Sequence, residues 1–209
     1  TDANGDVIAD VAAAARCMVS ARARVLLPQS HRPALYCAME LPLDDASVTV
    51  ADPYVLIDAA VPASLPSLGD ESAARTVDFE RVSVEVTPDA IGAEQYQRLA
   101  ATTLALAQAP VCLAAAAPEF DLLVAFAPEV DIVGAGFPFS VENTLGLDAA
   151  TSLEVLVQAG VDCRLADGTL LEKGAWHELG SAVVNDDSTR IELTGTTALP
   201  CLGWIGLLR

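Results

Sequence analysis

The sequence predicts a mainly β domain, and α+β is the alternative class. Apolar and polar side chains alternate strictly over residues 153–165, which is the two-residue period of a half-buried strand. Strand-like segments clearly outnumber helix-like segments, and the βαβ rhythm of a parallel sheet is missing. We therefore expect residues 1–209 to form a single antiparallel β-sandwich or jelly-roll-like barrel, with one or two flanking helices.

The N-terminal part of the chain predicts one helix followed by short strands. Val7, Val11 and Ala14 recur at helical spacing, so a helix is expected from about residue 6 to residue 17. Several later segments alternate in polarity and predict strands, over residues 35–41, 47–50, 54–58 and 82–86.

Two irregular features separate these strands. Proline, serine and glycine are concentrated in residues 62–72, which predicts a loop that extends away from the domain. Val77 and Phe79 are out of phase with the valines that follow them, which indicates a β-bulge near Glu80.

The clearest helix signal covers about residues 88–109. Thr87 can cap this helix, Pro88 suits its first position, and Asp89 would lie at the positive end of the helix dipole. One side of the predicted helix carries residues spaced by three or four, Tyr96, Leu99, Thr103 and Leu106. We expect this side to pack on the sheet, and Pro110 to end the helix.

Residues 152–209 predict an antiparallel meander. Asp167–Gly168 predicts a tight turn after the long alternating strand. Residues 185–188 predict a hairpin turn between two further strands, and residues 203–208 predict the last strand.

The chain is strongly acidic, because 29 Asp and Glu residues stand against 11 Lys and Arg residues, a formal charge of −18. Such a surface repels phosphates, so direct nucleic-acid binding is not expected. Residues 99–118 carry no charge, but their threonines and prolines favour a helix and a buried strand over a membrane span. The acidity has two explanations: the codon preferences of a GC-rich genome, which we favour, and adaptation to high salt.

The cysteines are five in number and widely spaced: Cys17, Cys37, Cys112, Cys163 and Cys201. No CxxC pair is present, so neither a zinc knuckle nor a thioredoxin-like site is predicted. We expect buried free thiols that pack as small hydrophobic side chains, which favours a reducing compartment. The first residues are polar and acidic, so we expect cytoplasmic synthesis without secretion by a signal peptide.

The motifs of common enzyme classes are missing from the sequence. No GxSxG elbow accompanies the two histidines, His31 and His177. Gly134–Ala135–Gly136 lacks the third glycine of a dinucleotide-binding loop. A DxDxDG calcium loop is also missing. The sequence therefore predicts no catalytic residue, no cofactor and no metal site.

Two groups of residues remain as candidates for function. Trp176, His177 and Glu178 combine an aromatic face, a titratable ring and a carboxylate that together suit a small polar ligand. On a strand His177 would face away from the other two, so the three converge only in a loop. A candidate interface lies near the C-terminus, where a core strand is an equally good explanation, at Trp204, Ile205, Leu207 and Leu208.

The favoured hypothesis is a structural or assembly protein, such as a coat, spike or tail subunit of a virus or phage. A β-rich domain with an aliphatic excess and no catalytic motif is typical of subunits that bury surface against each other. The expected partners are copies of the chain or other assembly proteins, and the expected location is the virion. The alternative is a β-sandwich enzyme or small-ligand-binding module that uses Asp or Glu side chains near the Trp176 cluster.

Overall fold

The computed structural model describes residues 59–109, 118–159, 163–172 and 174–209, together with the backbone of four short strands before them. These four strands are β1 (Arg16–Val19), β2 (Ala34–Leu35), β3 (Met39–Pro42) and β4 (Ile57–Asp58). β1 pairs antiparallel with β3, and β2 pairs antiparallel with β4. Most of the predicted helix over residues 6–17 lies outside the described residues, and its last two residues belong to β1.

The main body of the described chain is a nine-stranded antiparallel sheet. Its strands are β5 (Arg75–Asp78), β6 (Val82–Val86), β7 (Ala100–Leu104), β8 (Leu122–Asp131), β9 (Phe139–Glu142), β10 (Ser152–Gln158), β11 (Trp176–Val184), β12 (Arg190–Leu193) and β13 (Cys201–Leu208). Strands account for 44% of the structure and helices for 7%, which confirms the prediction of a mainly β fold.

The sheet is open and curls into a half-barrel. Its strands lie in the order β5-β6-β9-β12-β11-β10-β13-β8-β7, so β5 and β7 are the two edge strands. The finer prediction of a sandwich or jelly roll is not confirmed, because these nine strands form one continuous curled layer.

The C-terminal strands differ in order from the predicted meander over residues 152–209. β10, β11 and β12 follow one another as hairpins, but β13 pairs with β10 and β8 instead of β12. The resulting order β13-β10-β11-β12 is a Greek key. Local turn signals predict hairpins well, whereas the return of β13 depends on contacts that are distant in sequence.

The helix predicted over residues 88–109 is wrong. Pro88–Ala90 forms a single 3₁₀ turn, and the only α-helical turn of this segment is α1 (Ala93–Tyr96). Gly92, with φ of +83°, separates the two turns. Residues 100–104 then form β7, and Thr102 and Thr103 pair with β8, which shows that β-branched side chains and a strand partner outweigh the helical spacing.

Another correction concerns the bulge predicted near Glu80. Glu80 and Arg81 are the two turn residues of a hairpin, in which the Phe79 amide donates to the Val82 carbonyl oxygen at 2.8 Å. The turn reverses the chain, so Val77 and Val84 pair across the hairpin and face the same way. This reversal explains why the two runs of valines are out of phase.

The loop over residues 62–72 packs on the sheet instead of extending away from it. The buried Tyr96 side chain donates a hydrogen bond from its hydroxyl to the Pro66 carbonyl oxygen at 2.8 Å. The Arg75 guanidinium donates to the carbonyl oxygens of Ser67, Leu68 and Asp70. These contacts hold the loop against β5 and α1, and Leu65 and Leu68 pack on the buried cluster.

The inner face of the sheet is apolar on every strand. All nine strands contribute to one buried cluster, so this is the side toward which the sheet curls. Its largest fully buried side chains include Tyr96, Phe126, Leu153, Ile191, Ile205 and Leu207. Burial of this face is the main stabilising contribution to the fold.

The expectation of free thiols is wrong for two of the five cysteines. Cys163 and Cys201 form a disulfide that joins the loop after β10 to the first residue of β13. Both residues are buried and pack with Val157 and Leu171. Cys17 lies in β1, where only the backbone is described, and Cys37 and Cys112 lie outside the described residues.

Candidate functional site

The structure does not bring Trp176, His177 and Glu178 together. All three lie in β11, where alternation places Trp176 and Glu178 on the outer face and His177 on the opposite face. The His177 ring nitrogen Nε2 lies 3.1 Å from the carbonyl oxygen of Glu172, and the Glu178 side chain is exposed. Three side chains that diverge in this way do not form a pocket around one ligand.

Trp176 instead belongs to a second apolar cluster, on the outer face of the sheet. Its ring packs against Phe120 at a centroid distance of 4.5 Å and an interplanar angle of 57°. The indole Nε1 is buried and has no hydrogen-bond partner among the described residues. Trp204 lies in the same cluster, two strands away, and Gln158 of β10 lies between the two tryptophans.

The candidate interface residues of β13 are largely in the interior. Trp204 is 5% exposed, and Ile205 and Leu207 are fully buried, since β13 lies between β10 and β8. Leu208 is half-buried beside the outer cluster. Three of these four side chains are thus core residues and are not accessible to a partner in the folded chain.

Gly206 is a packing residue that is not among the candidates predicted from the sequence. A Cβ atom built on Gly206 would lie 2.2 Å from the Phe120 ring, which shows that this ring lies directly on the backbone of β13. Glycine inside an apolar strand was the available signal, because it often marks a close approach of another group.

Over strands β5, β6, β9 and β12, polar side chains form a hydrogen-bond network across the sheet. Arg190 of β12 donates hydrogen bonds to Ser140 Oγ of β9 at 3.0 Å and to Ser83 Oγ of β6 at 3.1 Å. Ser83 in turn donates to the Asp78 carboxylate at 2.6 Å. These hydrogen bonds link the four neighbouring strands β12, β9, β6 and β5. They engage Arg190 and Asp78 in holding the strands together.

Several acidic side chains of the described residues take part in turns and ion pairs. Asp187 accepts a hydrogen bond from the Thr189 amide at 3.0 Å, and the Thr189 hydroxyl is the main cause of the lowered pKa of this carboxyl. Arg209 contacts Asp121 at 2.6 Å, and its hydrogen bonds lower the pKa of the Asp121 carboxyl. Within the described ranges, no group of three or more His, Cys, Asp or Glu residues is arranged to hold a metal ion.

A groove lies at the open side of the half-barrel, where β6 approaches β7. We call it the seam groove, and its volume is about 440 Å³. It is lined by three short segments, residues 59–61, 80–82 and 101–103. The segment 59–61 is joined to β7 by an isolated bridge, in which Ala60 and Ala101 exchange backbone hydrogen bonds of 2.9 and 3.0 Å.

The backbone of β7 is partly unpaired in the seam groove. Because both polar backbone groups of Ala101 bond to Ala60, they point away from β8. The backbone groups of Thr103, two residues on, point in the same direction. Within the described part of the chain, neither the amide nor the carbonyl oxygen of Thr103 has a partner on that side.

Comparison of the chain with protein-family models, curated proteins and solved structures finds no match. Among the helices of the described residues, none combines the length and apolar character needed to cross a bilayer. The candidate site therefore rests on geometry alone, and the seam groove is the candidate because the backbone groups of Thr103 lack partners there among the described residues.

Proposed function

We propose that this protein is a structural subunit that assembles with copies of itself or with other assembly proteins. A coat, spike or tail component of a virus or phage is the concrete form of the proposal. The observation that supports it most is the open sheet, whose two edge strands β5 and β7 present backbone groups of the kind that pair with other chains.

The half-barrel also favours association through its edges. The curled sheet leaves β5 and β7 as edge strands, whereas its inner face is already buried within the chain, so a partner would pair with an edge rather than cover a face. The chemistry of the surface agrees with this role. The side chains of Trp176, His177 and Glu178 diverge, so the cluster on which the enzyme alternative depends is not assembled, and we do not propose that alternative.

The disulfide supports a location outside a reducing cytosol. Disulfides persist on virion and cell surfaces and are rare in cytosolic proteins, where thiols are kept reduced. The buried Cys163–Cys201 bond therefore fits a subunit that is synthesised in the cytoplasm and then functions in an assembled particle. The net charge of −18 fits a position that is not in contact with packaged nucleic acid.

Size-exclusion chromatography with light scattering, followed by electron microscopy, tests the assembly. We expect an oligomer of defined size, formed by the purified chain or after mixing with partner proteins from the same particle. A chain that stays monomeric at low and high salt, at every concentration and with those partners present, contradicts the proposal.

A further inference from the structure

We propose that the seam groove binds an extended segment of another polypeptide as an added strand on β7, and that this segment carries a lysine or arginine side chain. The inference deepens the assembly function proposed above, because it assigns a surface and a chemical class of partner to it. Three properties of the groove support it: its free backbone groups, its small side chains and its charge.

The backbone groups without a partner among the described residues are the amide and carbonyl oxygen of Thr103, two residues after the bonds between Ala101 and Ala60. The Thr103 amide and carbonyl oxygen point into the groove at the spacing of a hydrogen-bonded β pair, and nothing in the described residues satisfies them there. An extended main chain is the ligand that matches such a donor and acceptor on one strand edge. Ala60 already occupies the neighbouring position in this way, over a single residue.

Small side chains allow a second backbone to approach this edge. Ala59, Ala60 and Ala101 line the groove, and its larger lining side chains, Glu80 and Arg81, belong to the segment 80–82. Val61, at one end, is 56% exposed and offers an apolar contact for an alternating side chain. The volume of about 440 Å³ is also in the range of small-molecule sites, and Glu80, Arg81, Thr102 and Thr103 are polar lining residues. The backbone groups of Thr103, which are unpaired among the described residues, favour an extended chain as the ligand.

The charge of the groove selects a cationic segment. Arg81 is directed to Glu142, with Nε 3.7 Å from Oε2, whereas the exposed Glu80 makes no ion pair with the described residues. Among the described residues, Glu80 is therefore the charged lining residue of the groove without an ion-pair partner. Since the chain itself carries a charge of −18, a more basic chain is a better partner than a second copy.

The test uses the full chain and synthetic acetylated decapeptides in which valine and threonine alternate around one central lysine. Calorimetry measures affinity, and amide chemical shifts report whether Thr103 is contacted. We expect the lysine peptide to bind, and a peptide with proline at its centre to fail because it cannot pair as a strand. Equal binding of both peptides, or no binding of either, overturns the inference.

Thr103→Pro is the variant that addresses the edge itself. It removes the amide hydrogen that points into the groove, while the bonds to β8 belong to Ala100, Thr102 and Leu104 and remain. We expect binding at least about tenfold weaker, as for the loss of one or two main-chain hydrogen bonds. Thr76→Pro on β5 is the matched control at the opposite edge, and it should leave the affinity unchanged.

Glu80→Lys keeps the test decisive if the proline variant does not fold, because Glu80 is exposed in a turn. We expect affinity for the lysine peptide to fall by up to about fivefold, and a glutamate peptide to bind the variant better than the native chain. Unchanged affinities overturn the charge selection.

The two proposals fail in different ways. A protein that stays monomeric but binds the lysine peptide would contradict the assembly function alone. An oligomer that forms equally well with Thr103→Pro, and that does not bind the peptide, would contradict this inference alone.

Discussion

Gly206 has a packing role because the Phe120 ring occupies the position where a side chain would begin. We predict that Gly206→Ala destabilises the protein by about 1–3 kcal/mol, since the ring or the strand must move in a well-packed cluster. Chemical denaturation measures the change in the free energy of unfolding. Phe120→Leu in the same molecule should recover part of the loss, because the smaller side chain makes room for the methyl group.

Gly203 of the same strand provides the matched control. A Cβ atom at Gly203 would meet its nearest neighbour, the Gln158 carbonyl oxygen, at an ordinary 3.8 Å. Gly203→Ala should therefore change stability by less than about 0.5 kcal/mol. If both alanine variants unfold at the same denaturant concentration, Phe120 does not pack on β13 as described.

At the scale of elements, the disulfide fixes the loop after β10 to the start of β13. Cys163 and Cys201 are separated by 38 positions in sequence, so the bond restricts a long segment of the unfolded chain. The chain-entropy relation gives a stabilisation of about 4 kcal/mol for a loop of this length. We predict that reduction, or the double substitution Cys163→Ala and Cys201→Ala, lowers the free energy of unfolding by about 2–4 kcal/mol.

Two measurements check this prediction. Denaturant unfolding with and without reductant gives the stability difference, and the double alanine variant should no longer respond to reductant through this pair. Alkylation of the native protein, followed by mass spectrometry, should leave Cys163 and Cys201 unmodified until reductant is added. Alkylation of both cysteines in the unfolded but unreduced protein would show that the bond does not form.

Elements with local signals are the ones that the sequence predicts. The turn after Asp167 forms where expected, with the Gly168 amide bonded to the Leu165 carbonyl oxygen, and the hairpin between β11 and β12 follows the polar residues 185–188. β7 is not predicted because its pairing with β8 is decided by partners 19 to 27 positions away, from Leu104↔Leu123 to Ala100↔Ala127, while its own sequence has helical spacing. The position of β13 between β10 and β8 depends on distant contacts in the same way.

The candidate site illustrates the same limit. Alternation alone indicates that Trp176 and His177 diverge on a strand, and β11 agrees with it. The seam groove, in contrast, joins residues 59–61, 80–82 and 101–103, which no motif connects. Only the curvature of the whole sheet brings β6 close to β7, so this site cannot be predicted from one strand at a time.

At the scale of the whole molecule, negative charge greatly exceeds what ion pairs can compensate. The pairs Arg98–Glu94 and Arg81–Glu142 have side chains that are at least half exposed, and such pairs contribute little to stability. Most of the 29 acidic residues therefore repel one another across the surface. Salt adaptation predicts that the fold depends on screening of this repulsion and is unstable at low salt, whereas codon preference predicts a fold that tolerates the same charges and changes little with salt.

Thermal unfolding at increasing sodium chloride decides between the two explanations of the acidity. Screening shortens the Debye length from about 10 Å at 0.1 M to about 3 Å at 1 M. If repulsion limits stability, the melting temperature should rise by more than about 4 °C over that range of salt. For a chain of this size, such a shift corresponds to an increase of roughly 1 kcal/mol or more in the free energy of unfolding. The rise should shrink near pH 4, about the ordinary carboxyl pKa, because protonation removes the charges that salt would screen. A constant melting temperature at neutral pH contradicts salt adaptation, and an equal rise at both pH values assigns the effect to salt acting on apolar burial rather than on charge.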